Sequence, residues 1–196
     1  LYLLKFRMNV AKFDTGSVGN VTFQNKNLPV KSLVVNPLKF TSGDTAVQVL
    51  HKDHGMYLNT NNVTIDGMVS GAETTLASAM DSAATSLTLT SSTDFDDTSG
   101  KFAYDSSSQW WLKIGDEIMK YGDISGTNVS SVTRAQISTG AKSHVAGAKV
   151  QLYMLHRVPL HEINKTHESI QNINMDSYTV TLATAPTITG ATSIAT

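Results

Sequence analysis

Residues 47–67 read VQVLHKDHGMYLNTNNVTIDG, and this stretch decides the fold. It opens on an extended run at 47–50, turns at Asp53-His54-Gly55, crosses a polar loop and regains strand character at 63–65. Alternating apolar and polar residues bounded by Gly, Asn and Asp are typical of half-buried antiparallel strands. The pattern stops at Asp66-Gly67, before a sheet could be complete.

A matching piece follows much later, where residues 162–182 read EINKTHESIQNINMDSYTVTL. The residues between the two pieces have the character of a complete β unit. We therefore predict one β domain interrupted by another at a loop tip, where an insertion disturbs few backbone hydrogen bonds. The predicted parts are N-terminal strands or an arm at 1–43, a discontinuous domain at 44–71 plus 158–196, and an inserted domain at 72–157.

The composition supports an all-β chain and excludes several classes of protein. Among the 196 residues, Thr favours strands and Ser favours turns, and both recur throughout. The net charge is −1 and Lys and Arg form no cluster, so we expect no nucleic-acid partner. No apolar run is long enough to span a bilayer, so no membrane partner is expected either. Cysteine is absent, which excludes disulfides and thiolate metal sites.

Short strands at regular spacing, separated by Gly and Asp turns, indicate a small barrel or sandwich in the insert. No helix longer than two turns is predicted. The fold class is therefore all-β, with a sandwich-like or barrel-like domain interrupted by a second, small β-barrel domain. The strands predicted for the insert lie at 86–90, 109–114, 117–121, 129–134 and 149–155.

The outer part resembles structural proteins of tailed bacteriophages. In their motif a strand ends in His-Gly-Leu/Met and a Val-Thr-Ile-x-Gly strand follows, as in His54-Gly55-Met56 and residues 62–67. The motif continues with an Asn-x-Thr-His segment and an Asp-Ser-Tyr-Thr-Val strand, which match 163–167 and 176–180. Residues 38–55 also resemble a lead-in found in structural proteins of cyanobacterial phages.

The insert is similar to a small β module of phage tail and baseplate proteins. The similarity runs through KIGDEIMKY at 113–121, VTR at 132–134, His144 and GAKV at 147–150. Two positions depart from the module's usual pattern. Ala135 stands where Gly is usual, and Ser138-Thr139-Gly140 replaces the common Gly-Thr.

These resemblances imply a structural component of a phage virion, located in the tail, baseplate or fibre, that works by protein–protein assembly. The implied partners are copies of the same chain in a homo-oligomer and other virion structural proteins. A receptor-binding or glycan-binding module, which would contact a host-surface glycan, is the alternative. A capsid decoration protein is a third reading.

Aromatic residues of the insert are the candidate interface or ligand-contact residues. Trp110 and Trp111 are adjacent on a predicted strand, so their side chains point to opposite faces. We expect one in the core and the other facing solvent or a partner. With Tyr104 or Tyr121 nearby, an exposed Trp could pack in an interface or stack on a sugar.

Histidines raise the question of a metal site. His51 and His54 flank a turn, and a site would need a third ligand such as His161 or His167. The favoured reading is that His54 bonds backbone at the strand end and Gly55 supplies a turn with positive φ. We expect no metal and no cofactor.

The chain carries no recognisable catalytic pattern. The acidic segment 94–105 is similar to a calcium loop but has Ser99 and Asp105 where Gly and Glu are required. A nucleophile elbow, a phosphate-binding Gly loop and a His-Glu-x-x-His zinc motif are all missing from the sequence. We therefore expect a protein that is not an enzyme.

Overall fold

Short antiparallel strands make up nearly all of the regular structure. The structure, a computed structural model, describes residues 31–57, 62–95, 109–187 and 189–191. Residues 1–30 of the predicted N-terminal strands or arm, most of the acidic segment 94–105 and Tyr104 lie outside these residues. In chain order the strands are β1 Leu38–Phe40, β2 Ala46–Leu50, β3 Val63–Thr64, β4 Glu73–Thr75, β5 Leu87–Thr88, β6 Trp110–Ile114, β7 Glu117–Tyr121, β8 Asp123–Ser125, β9 Asn128–Ser130, β10 Thr133–Gln136, β11 Lys149–Leu152, β12 Met154–Leu155, β13 Val158–Pro159, β14 Thr166–His167, β15 Ser177–Thr181 and β16 Gly190–Ala191.

The prediction of an all-β fold is confirmed. One helical turn, α1 at Leu160–Ile163, is the only helix among the described residues. No helix in this part of the chain reaches the length and apolar character that a membrane crossing demands.

The outer sheet joins the two stretches that the sequence analysis matched with each other. Its strand order is β15-β2-β1-β16, and all pairs are antiparallel. The pairing of β15 with β2 places Tyr178 opposite Val49 and Ser177 opposite Leu50. A second pair, β14 with β3, aligns Thr166 with Thr64. Residues 47–67 therefore complete their pairing with residues more than 100 positions away.

The strands of the insert close into a small barrel. β7 runs into β8 through Gly122, so the two act as one bent strand that pairs with β6 before the bend and with β9 after it. The pairings then run from β9 to β5, and from β6 through β11 to β4. Hydrogen bonds from Ala77 N to Thr88 O and from Thr90 N to Thr75 O link β4 to β5 and complete the ring.

Every second side chain along these strands points into the barrel and fills it. On β6 the side chains of Trp110, Leu112 and Ile114 are almost fully buried, and on β7 Met119 and Tyr121 are fully buried. Because neighbouring side chains on a strand point to opposite faces, Trp111 lies on the outer surface of the barrel.

Buried apolar side chains form two clusters. One draws on residues 72–154 and fills the barrel, and the other draws on residues 38–68 and 155–182 and lies against the outer sheet. Tyr153 packs partly against both clusters. Both lie within the compact unit Leu33–Thr196. The boundaries predicted for two separate domains remain a prediction, and β1, which fell within the predicted N-terminal part, lies in the outer sheet.

Two predicted strands are each broken in the structure. The strand predicted at 129–134 divides into β9 and β10 because Ser131, between them, has φ of +54°. The strand predicted at 149–155 divides into β11 and β12 at Tyr153, whose N–H donates to Trp111 O. By contrast, the strand predicted at 117–121 has the same bounds in the structure.

The bend at Gly122 brings two backbones into close approach, which generates a prediction. A Cβ at position 122 would lie 3.1 Å from the Cβ of Ser131. We expect Gly122→Ala to lower the free energy of unfolding by about 1–3 kcal/mol, because overpacking forces the neighbouring backbone to shift. Urea denaturation monitored by tryptophan fluorescence measures this change.

Removal of the neighbouring side chain should reverse the effect. Ser131→Gly in the Gly122→Ala background is expected to recover most of the loss, since Gly also tolerates the positive φ at 131. Gly140→Ala, where an added Cβ meets nothing within 4 Å, is the control. A Gly122→Ala protein as stable as the wild type would show that the space between residues 122 and 131 can accommodate a side chain.

Candidate functional site

A buried carboxylate lies at one end of the barrel. Glu117 is the first residue of β7 and shares the inward face with Met119 and Tyr121, so the strand directs its side chain inwards. Its side chain is fully buried. A charge without water is costly unless it is paired and hydrogen-bonded, so the partners of Glu117 determine whether the fold tolerates it.

Five hydrogen bonds converge on this carboxylate. Arg134 donates through Nε to Oε1 at 2.8 Å and through Nη2 to Oε2 at 2.7 Å, a two-pronged ion pair. The backbone N–H of Ala135 donates to Oε1 at 3.2 Å, and that of Lys142 donates to Oε2 at 3.0 Å. His144 Nε2 lies 2.8 Å from Oε2. Since an ionised carboxylate only accepts, the His144 hydrogen must sit on Nε2.

The same groups tie the surrounding loops together. Arg134 also donates through Nη1 to Asp81 O and through Nη2 to Lys142 O, each at 2.6 Å. The backbone of His144 exchanges two hydrogen bonds with the backbone of Met80. Glu117, Arg134 and His144, which we call the carboxylate clamp, therefore join β7, β10 and the loops on either side.

The hydrogen bonds keep Glu117 ionised. Burial alone would raise the pKa of its carboxyl group. The bonds donated by Arg134, Lys142, His144 and Ala135 outweigh that effect and lower the pKa from 4.5 to about 2. A carboxylate has about four lone-pair positions, and five donors already occupy them. The clamp is thus suited to holding loops in place and has no acceptor capacity left for a substrate proton or a metal ion.

Ala135 and Ser138, where the insert departs from the motif pattern given in the sequence analysis, fall where the backbone is unusual. Ala135 has φ of +54° and Ser138 has φ of +59°, in the left-handed region that favours Gly. Gly is the residue usual at the first of these positions in the module that the insert resembles. The N–H of Ala135 donates to Glu117 Oε1 at 3.2 Å in this conformation.

The histidine turn of the outer part is also structural. His54 Nε2 donates to Asn174 O at 2.7 Å, and His54 Nδ1 accepts from Met56 N at 3.0 Å. Gly55 has φ of +73°. The prediction that His54 bonds backbone beside a positive-φ glycine is confirmed. With both ring nitrogens engaged, His54 has none left for a metal.

No group of three or more His, Asp or Glu side chains arranged to hold a metal occurs among the described residues. His161 contacts Trp111, and His167 lies within hydrogen-bonding distance of Ile163 O at 3.1 Å. These histidines therefore serve other contacts.

The three candidate aromatic residues that the structure describes do not form an open surface. Trp110 and Tyr121 are buried inside the barrel, and the Tyr121 hydroxyl donates to Phe95 O at 3.4 Å. Trp111 faces away from Trp110, as the alternation predicts, but only 8% of it is exposed. The expectation that this second Trp faces solvent or a partner does not hold in the described chain, because other parts of the same chain cover it.

The side chains that cover Trp111 connect the outer surface of the barrel with the outer part of the chain. The His161 ring lies 4.7 Å from the Trp111 ring, and the Lys120 ammonium lies 4.6 Å from the Trp111 ring centroid. The Tyr153 ring lies nearly parallel to His161, at 6.4 Å. Burial lowers the pKa of His161 below 6.5, and Lys165 and Lys120 lower it further against the opposing charge of Glu162. A neutral imidazole is therefore favoured beside the indole.

Several exposed apolar side chains lie at or beside strand ends on one end of the outer sheet. The start of β1, the end of β2 and the start of β15 meet there, since Leu38 pairs with Val49 and Ser177 with Leu50. Of the eight large apolar side chains that are exposed among the described residues, five belong to these strand ends and their adjoining loops. They form what we call the sheet-end patch, namely Val34, Val35, Leu50, Tyr57 and Met175.

Hydrogen bonds fix the loops that carry this patch. Leu50 N donates to Pro37 O at 2.7 Å, and His51 N donates to Asp176 O at 2.8 Å. The bond from His54 to Asn174 O lies beside Met175. Sequence reasoning missed the patch because its members are far apart along the chain and only the strand register brings them to the same end.

Comparison with known proteins found no matching protein-family model and no matching curated protein. The function must therefore be inferred from the residues and from their geometry.

Removing the charge of Glu117 tests the clamp. We expect Glu117→Gln to lower the free energy of unfolding by about 3–5 kcal/mol, because it leaves the nearly buried Arg134 guanidinium without its counter-charge. Chemical denaturation of the purified variant measures this loss. Asp116→Asn is the matched control, since Asp116 is exposed and its ion pair with Lys142, at 3.7 Å, is exposed to solvent as well. It should change stability by less than about 1 kcal/mol. Equal effects of the two substitutions would refute the clamp.

The lowered pKa of Glu117 also predicts how stability depends on pH. The unfolded chain binds a proton at this site more tightly than the folded chain, so the stabilisation is complete above pH 4.5 and is lost as the pH falls towards 2. The loss should reach about 3 kcal/mol. Denaturant midpoints between pH 6 and pH 2 measure it. Glu117→Gln should remove this component, and an unchanged acid profile in that variant would contradict the assignment.

Proposed function

We propose that this chain is a structural component of a phage virion, in the tail, baseplate or fibre, and that it acts by protein–protein assembly. The sheet-end patch is the observation that carries the proposal. Single exposed apolar side chains are common on soluble proteins, whereas apolar side chains gathered in one region mark contact surfaces.

The proposed occupant of the patch is a second copy of the chain. Oligomers of one chain type most often have closed rotational symmetry, in which the same surface recurs in every subunit. Tyr57 and Met175 are each 80% exposed, and aromatic residues and Met are enriched in interface cores. Neighbouring virion proteins are the further partners in this proposal.

The geometry of the resemblance motifs supports the same proposal. In the insert, Glu117, Arg134 and His144 hold loops, and in the outer part His54 holds a turn. Residues that the phage motifs share with this chain thus build the scaffold. A chain organised in this way suits a role as a rigid part of an assembly, and we propose no catalytic step for it.

The test is the mass of the purified chain in solution, measured by light scattering over a range of concentrations. We expect a mass that is a multiple of 21.1 kDa. The double substitution Tyr57→Ser with Met175→Ser should weaken association at least tenfold, because it removes about 1.4 kcal/mol or more of apolar contact.

Val145→Ser is the matched control, since Val145 is 73% exposed but belongs to the barrel. It should leave association unchanged. A 21.1 kDa monomer at every concentration would overturn self-assembly, and an equal effect of the control would remove the patch from the interface.

A further inference from the structure

A groove lies where the chain passes from the outer part to the barrel. Its volume is about 540 Å³, within the range of small-molecule sites. One wall is the connecting segment 66–73, and the other is the outer surface of the barrel at β6 and β11. The polar side chains that line it are Asp66, Ser70, Glu73, Lys113, Gln151, Tyr153 and Asn164.

Hydrogen bonds hold the walls of this groove in position. Asn164 accepts from Met68 N at 2.9 Å and donates to Met68 O at 2.8 Å, so its amide clamps the connecting segment. Ser70 donates to Leu152 O at 2.6 Å and is itself buried. The groove is therefore formed before any ligand arrives, which lowers the entropic cost of binding.

Other polar groups in the groove have hydrogen-bond donors or acceptors that the described residues do not use. Within the part of the chain that the structure describes, the side chains of Lys113 and Gln151 and the hydroxyl of Tyr153 take part in no hydrogen bond. Asp66 uses Oδ1 to accept from Gly67 N, which leaves Oδ2 without a partner. Glu73 forms an exposed ion pair with Lys149 at the rim.

These groups define the chemistry that the groove can recognise. Lys113 donates, Asp66 accepts, and Gln151 does both. Burial, together with the negative charge of Asp66, raises the pKa of Tyr153 above 10.0, so its hydroxyl stays protonated at neutral pH. A ligand with several hydroxyl groups suits this set, because each hydroxyl both donates and accepts.

The charges in the groove narrow the class further. Asp66 shares the groove with Lys113, and Glu73 is paired with Lys149, so the carboxylates and ammonium groups balance and the groove has no net charge that would favour an ionic ligand such as a phosphate or an acidic sugar. The Tyr153 ring stacks on His161 at 6.4 Å and has the Lys113 ammonium 5.8 Å from its centroid, so the hydroxyl is the group that this tyrosine offers to a ligand. We propose that the groove binds a short neutral oligosaccharide, at a site separate from the sheet-end patch.

Saturation-transfer NMR on the full chain tests this proposal. The probes are maltotriose, cellotriose, chitotriose, mannotriose and lactose, with 3′-sialyllactose as the acidic counterpart of lactose. We expect transfer to at least one neutral probe and weaker transfer to sialyllactose than to lactose. No transfer to any neutral probe would overturn the proposal, and so would a preference for sialyllactose.

Substitutions locate the site. Tyr153→Phe removes one hydroxyl and should weaken binding about three- to tenfold, the value of one hydrogen bond. Gln151→Ala should act in the same direction. Tyr57→Phe removes a hydroxyl from an exposed tyrosine elsewhere and should leave binding unchanged. Binding that is indifferent to both groove variants would exclude the groove. Light scattering of the same samples reports assembly separately, so the two proposals can fail independently.

Discussion

The hydrogen-bonded carboxylate of Glu117 is the interaction on which the barrel depends. A barrel of short strands leaves its end to loops, and loops need an anchor that does not come from strand pairing. One ionised side chain that accepts five hydrogen bonds gives several loops a common anchor. A buried ion pair is weak as a source of net stability compared with apolar packing, but removal of either partner is severe. Such a group therefore constrains which loop arrangement the chain can adopt.

Much of this architecture follows from alternation in the sequence. The bounds of β7 could be predicted because a short, mostly apolar segment, EIMKY at 117–121, lies between two turns. The same alternation contains a signal for the clamp, because it places Glu117 on the inward face with Met119 and Tyr121. A charged residue at an inward position requires a partner of opposite charge. Sequence alone does not show that Arg134 and His144 supply it, since only the barrel's curvature brings their loops together.

Other features depend on tertiary contacts that no local pattern encodes. The break at Ser131 arises from a positive φ in a residue that does not favour it, so the segment looks like one continuous strand. The outward direction of Trp111 could be predicted from the strand, but the residues that bury it against the rest of the chain could not. His161 lies 50 residues away and reaches the indole only because α1 packs beside the barrel. Tyr153 packs against both hydrophobic clusters because it lies where the chain passes from one to the other.

The closeness of the two ends of the insert has a consequence for the order of folding. Leu152 N donates to Ala72 O at 3.0 Å, so the barrel begins and ends at one point. Pairing of β2 with β15 in an unfolded chain would close a loop of well over 100 residues. Once the barrel has formed, that loop is effectively shortened by the whole insert, which lowers its closure cost by about 1 kcal/mol. The barrel forms from contacts between residues that are closer in sequence. Its formation therefore favours the later pairing of β2 with β15, the strands that flank it in the chain.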